Sequence, residues 1–168
     1  MAGALALTVS VEDPRWTETL DGVEALGERA ARAAWDRSAL DGAVAEAGLV
    51  LMDDAGVRDL NRDYRGQDKA TNVLSFAALD GGGPAPVAGQ PLVLGDIVVA
   101  FETTRDEARD QGRPLADHFS HLVVHGMLHL LGHDHEDDAE AEAMEAMETA
   151  IMAGLGLPDP YAPPPEPR

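Results

Sequence analysis

The sequence of 168 residues contains no cysteine. That excludes disulfides, thiolate nucleophiles, cysteine zinc fingers and iron–sulfur clusters, so any metal must be held by His, Asp or Glu. Cations are scarce: 12 Lys and Arg stand against 31 Asp and Glu, for a formal net charge of −19. So acidic a chain cannot coat duplex nucleic acid broadly, because such binding needs many cationic phosphate contacts; a local basic patch is still compatible with it. Aromatic residues make up 4% of the chain, which argues against an extended base-stacking platform and for weak sequence preference toward any nucleic acid. No apolar run approaches the roughly 20 residues of a membrane-spanning helix. No Lys or Arg precedes the apolar N-terminal run and no cleavage pattern follows it, so a cytoplasmic protein with no membrane segment is expected.

What is present reads as one domain. Leu5, Leu7, Val9 and Val11 alternate with small or polar residues, the period of a half-buried strand, and Glu12-Asp13-Pro14 ends it. A helix is expected from about Asp21 to Trp35, a strand over Val44–Met52, and a helix running to Tyr64 after the caps Asp53-Asp54. Asn72–Ala77 reads as a short strand, Asp80–Pro91 as a surface loop and Leu92–Ala100 as a buried strand. Helices near Glu102–Gln111, Leu115–Leu131 and Asp138–Leu155 follow. The expected fold is α+β: a small mixed sheet of about four strands packed with five to six helices, with the Leu115–Leu131 helix central. Residues 1–157 form the domain, and the Pro-rich residues 158–168 a flexible tail. In the last helix Met144, Met147, Ile151 and Leu155 supply the buried stripe, while Glu140, Glu142, Glu145 and Glu148 are expected to face solvent.

All six histidines lie between positions 118 and 135. At about 100° per residue, His118, His121, His125 and His129 fall within an arc of roughly 80° on one helix. His125 and His129 are four apart, so their rings project from adjacent turns and can share one ion. Gly132 can end the helix in a left-handed conformation and bring His135 back toward the same ion. Three imidazoles leave one position open, the arrangement of a catalytic zinc, whose bound water has a pKa of about 7. His121 is expected behind the site, His118 exposed and His133 beside the ligands. The spacing matches the zinc-protease pattern His-Glu-x-x-His-x-x-Gly-x-x-His, except that Gly126 stands where the protease carries its general-base glutamate. A protease would need another base, such as Asp134 or Glu136.

Three blocks together resemble the YbeY-type bacterial rRNA maturation endoribonucleases. They are His125-Gly-Met-Leu-His129-Leu-Leu-Gly132-His-Asp134-His135, Asn61-Arg-Asp-Tyr64-Arg65-Gly-Gln-Asp68-Lys-Ala-Thr71-Asn72-Val-Leu-Ser75-Phe76, and Leu94-Gly95-Asp96-Ile97. They occur in the family's order, and the likeness runs from about Leu5 to Tyr161. One departure is His133, where many members carry tyrosine. The resemblance implies a metal-dependent endoribonuclease specific for single strands. It implies action in 3′-end maturation of small-subunit ribosomal RNA and in ribosome quality control, with the ribosome or its small subunit as partner. It also implies that His125, His129 and His135 hold one Zn2+ per chain, other divalent metals being compatible, and that Arg65 matches the family's functional arginine.

That chemistry agrees with the residues. Phosphodiester cleavage builds charge on the non-bridging oxygens, which a metal and a planar guanidinium both stabilise. Arg58, Arg62, Arg65 and Lys69 form one basic cluster; Arg105, Arg109 and Arg113 form another at helical spacing. If both line one groove, Arg62, Lys69, Arg105 and Arg109 are candidate RNA contacts. The competing reading of the second cluster is an exposed helix face paired with Asp106 and Asp110. Asp96, Asp134 and His121 stand as candidates for the general acid or base. Two other functions fit the same residues: a non-catalytic ribosome assembly factor with a structural metal, and a zinc metalloprotease.

Overall fold

The computed structural model describes residues 3–38, 44–78 and 90–162. Most of the expected loop Asp80–Pro91 and the end of the Pro-rich tail lie outside these. The described chain runs β1 (Leu5–Val11), α1 (Arg15–Thr19), α2 (Val23–Asp36), β2 (Ala45–Met52), α3 (Asp54–Arg65), β3 (Val73–Ala77), β4 (Leu92–Ala100), α4 (Phe101–Asp110), α5 (Leu115–Leu130) and α6 (Asp138–Gly154). The fold is therefore α+β, with four strands in the order β1-β2-β4-β3. β1 and β4 pair parallel with β2, whereas β3 runs antiparallel to β4 and forms one edge.

Side-chain alternation along the two inner strands builds a core on each face. Leu49, Leu51, Ile97 and Val99 point to a large core shared with α2, α5 and α6, in which Trp35, Phe119, Val123, Met127 and Met144 are buried. Val98 and Ala100 point the other way and pack with Val57 of α3 and Leu74 of β3. Burial on both faces explains the unbroken apolar run at the end of β4. Gly95 sits beside a register slip between β2 and β4, where a side chain would strike the Phe76 carbonyl.

α1 is the element the sequence did not announce. Five residues with one large apolar side chain carry no helical period. Its Trp16 is nonetheless fully buried, stacks against Phe101 and Phe119 with ring centroids 5.2 Å away, and donates its indole N–H to the Met52 carbonyl. Among the described residues no helix is long and apolar enough to cross a membrane.

Candidate metal centre and its cleft

α5 is packed around most of its circumference, with Phe119, Leu122, Val123, Val124, Met127, Leu128 and Leu130 all buried. Past its first turn, the half-buried residues of α5 are His121, His125 and His129. The helix ends as the Gly132 position suggests. The Gly132 N–H donates to the His129 carbonyl and the His133 N–H to the Leu128 carbonyl, with Gly132 at φ +96°. This is a Schellman closure, and it satisfies carbonyls the helix end would otherwise leave free. The chain then reverses, and the Asp134 carboxylate accepts from the His135 N–H at 2.8 Å, fixing the backbone that presents the third ring.

The result is a cluster of His125, His129 and His135 whose candidate ligand nitrogens lie within 4.8 Å of one another. The Nε2 atoms of His125 and His129 are 3.1 Å apart. Ring centroids are 4.6 Å apart for His125 and His129 and 5.1 Å for His129 and His135. Burial, together with the neighbouring His125 and His135 rings, lowers the pKa of His129, which favours the neutral imidazole that a metal requires.

Behind His125 lies a carboxylate that the sequence reading had placed in solvent. Glu148 is buried, and its Oε1 accepts from His125 Nδ1 at 2.8 Å and from His121 Nε2 at 2.9 Å. Its Oε2 accepts from the Tyr161 hydroxyl at 2.7 Å. Burial pushes the Glu148 carboxyl up, but these three donors outweigh burial and hold it at about 2. Tyr161 is exposed as a residue, but desolvation of its hydroxyl and the facing carboxylate push the phenol up. His118, expected to be exposed, is also buried; its Nε2 lies 2.9 Å from Glu107 Oε1, which also accepts from Asn72 Nδ2. The first turn of α5 packs against α4 there. His121 thus stands behind the cluster, and His133 lines the cleft beside it.

The cleft in front of the cluster has a volume of about 470 Å³. Its far wall is β3 and the turn leading into it, including Thr71, Asn72 and Ser75, and Arg65 stands at its rim. The second sequence block builds this wall. Buried Asn61 donates to the Lys69 carbonyl, Arg58 pairs with Asp68 at 2.8 Å, and Gly66 ends α3 immediately after Arg65. Arg65 donates to the Ser75 carbonyl and lies over the Phe76 ring, 5.4 Å from its centroid.

Among the described residues Arg65 has no carboxylate partner, unlike its neighbours. Arg62 pairs with Asp59 and Asp63, and both Arg105 and Arg109 pair with Asp106. Arg62, Lys69, Arg105 and Arg109 are not among the residues lining this cleft, and Arg113 is bound to the Asp159 and Ala162 carbonyls. Of the three candidates for proton transfer, Asp134 lines the cleft. Asp96 lies against Gly48 and beside Phe76, on the sheet face opposite Ile97 and α5.

Gly126 faces the sheet. A Cβ there would lie 2.7 Å from Ile97 Cγ2 and 3.1 Å from Ser75 Oγ. The position at which a zinc protease carries its glutamate is therefore packed against β3 and β4, with no room for a larger side chain unless its neighbours shift.

Known proteins are similar to this chain over most of its length. The sequence matches the family model described as Endoribonuclease YbeY over residues 11–156. The endoribonuclease YbeY of Paramagnetospirillum magneticum is 53% identical over 161 residues, covering 96% of this chain and 98% of that protein. Those of Rhodospirillum rubrum and Rhodopseudomonas palustris are 53% and 57% identical, covering 93% and 83% of this chain and 81% and 82% of theirs. The solution structure of TM1509 from Thermotoga maritima is similar in fold, with a TM-score of 0.50 at 20% identity, covering 94% of this chain and 99% of that one.

Proposed function

The chain belongs to the YbeY endoribonuclease family, and on that premise we propose that it is a zinc-dependent endoribonuclease that cuts single-stranded RNA and matures the 3′ end of small-subunit ribosomal RNA, with a part in ribosome quality control. One observation carries the reading: a cluster of three imidazoles opens onto the cleft whose rim holds a guanidinium with no carboxylate partner among the described residues. The donor set fits zinc, since it offers three nitrogens, one of them backed by a carboxylate, and among the described residues no fourth protein donor within the cluster. His125, His129 and His135 would hold one such ion. A divalent cation held there supplies Lewis acidity, offsetting charge on phosphoryl oxygens and making water nucleophilic near neutral pH.

The remaining work falls to the chain. Arg65 presents a planar fork of donors to a phosphate, and Ser75 and Phe76 hold that fork at the rim. Asp134, which lines the cleft, would exchange a proton with the substrate. Contacts from Arg62, Lys69, Arg105 and Arg109 would come from RNA lying outside the cleft. The ribosome or its small subunit would present the RNA.

The test uses zinc-loaded protein with single-stranded ribosomal RNA and, in parallel, an unstructured polypeptide, each with and without chelator, beside Arg65→Ala. We expect RNA cleavage that chelator abolishes and that Arg65→Ala reduces at least about 100-fold, in line with the loss of one donor to a developing oxyanion. Cleavage unaffected by Arg65→Ala would remove that residue from the mechanism. Binding of ribosomal particles without cleavage would favour the assembly factor, and chelator-sensitive turnover of the polypeptide would favour the protease.

A further inference from the structure

We propose that Glu148 is a positioning residue for the metal centre, and that Tyr161, on the segment after α6, locks it in place. The inference rests on the metal reading of His125, His129 and His135. Glu148 interrupts an apolar stripe formed by Met144, Ile151 and Met152. A carboxylate buried in such a stripe is costly unless its oxygens are fully engaged, and an apolar side chain would serve packing better. Here both oxygens are engaged, Oε1 by His125 and His121 and Oε2 by Tyr161.

The consequence falls on His125. With Nδ1–H held by Glu148, the ring proton resides on Nδ1, and the lone pair of Nε2 is directed at the cluster. His121 is not among the residues whose ligand atoms converge in the cluster, and its Nε2 donates to the same carboxylate. It acts as a clamp, and the Tyr161 ring stands edge-on to it with centroids 5.3 Å apart. The segment that carries Tyr161 is itself tied down. Arg113 donates to the Asp159 and Ala162 carbonyls at 3.2 and 2.6 Å, and the Asp159 carboxylate accepts from the Tyr161 N–H and the Thr149 hydroxyl. A ligand on α5 is thus oriented through α6 by a residue 36 positions further along the chain (161 − 125).

The experiment measures zinc affinity by competition with a chromogenic chelator for the wild type, Tyr161→Phe, Glu148→Gln and His129→Ala. Urea unfolding of the metal-stripped proteins is run alongside. Glu148→Gln is expected to weaken zinc binding about 10- to 100-fold, as loss of a partner behind a ligand does. Tyr161→Phe is expected to weaken it less, and to lower the metal-free unfolding midpoint because Glu148 Oε2 loses its partner. Should Glu148→Gln fail to fold, Tyr161→Phe alone decides. Wild-type zinc affinity in the variants that fold would overturn the proposal, whatever their stability. If the wild type binds no zinc that His129→Ala abolishes, the metal centre itself fails and the positioning role falls with it.

Discussion

At position 126 two demands on one residue meet. A helix interior favours alanine over glycine by about 1 kcal/mol, and α5 would gain that much from the change. Against it stands the approach of α5 to the sheet, where the new Cβ would lie 2.7 Å from Ile97 Cγ2. Ile97 is fully buried and cannot swing aside, so overpacking of about 1–3 kcal/mol applies. We therefore expect Gly126→Ala to lose about 1 kcal/mol net, measured as a lower urea midpoint at unchanged slope. A variant as stable as the wild type would mean that the helix–sheet spacing does not depend on this residue. The glycine is also what separates this site from the proteases. Gly132, six positions further along the same motif, is required for a different reason: nothing crowds its Cβ position, but its φ of +96° disfavours any side chain.

At the scale of elements, much could be read from the sequence because α5 and its turn are local structures. The i, i+4 spacing and the terminal glycine fix where His125, His129 and His135 go, with little help from the rest of the fold. Glu148 was legible too, though by a signal that charge obscured. At about 100° per residue it falls within about 40° of both Met144 and Met152, at the edge of the stripe. Period should have outweighed polarity there. The partner of Glu148 was not legible, since Tyr161 reaches it through a contact that no local pattern encodes. The same holds for α1, which exists because Trp16 fits a gap beside Phe101 and Phe119. His118, on the first turn of α5, has a consequence for stability. Burial lowers its pKa below the usual 6.5, despite the opposing Glu107 carboxylate, and His121 and Arg113 add to the lowering. The unfolded chain therefore takes up this proton before the folded one does. The stabilisation is complete above about pH 6.5 and is lost as pH falls through the lower folded value. We expect the stability advantage of metal-free wild type over His118→Gln to shrink between pH 7.5 and 5, measured by urea unfolding. Parallel curves would show that His118 does not titrate differently in the two states.

The whole molecule sets an electrostatic problem, because a chain of net charge −19 must hold a polyanion. Among the described residues the solution is local. Arg58, Arg62, Arg105 and Arg109 are each matched by a carboxylate, which leaves the potential at the cleft to Arg65 and to whatever ion the imidazoles carry. RNA outside the cleft meets a surface of its own sign, so affinity has to come from few contacts. This makes the salt dependence of binding diagnostic. Each phosphate neutralised on a single strand contributes about −0.7 to the slope of log K against log salt. Short single-stranded RNA, titrated by fluorescence anisotropy in chelator to prevent cleavage, should give a slope shallower than about −2, as contact with one or two phosphates requires. A slope near −4 would correspond to five or more neutralised phosphates. Such a slope would mean that Arg62, Arg105 and Arg109 exchange their carboxylates for phosphates when RNA arrives, and that the binding track extends along α3 and α4 well beyond the cleft.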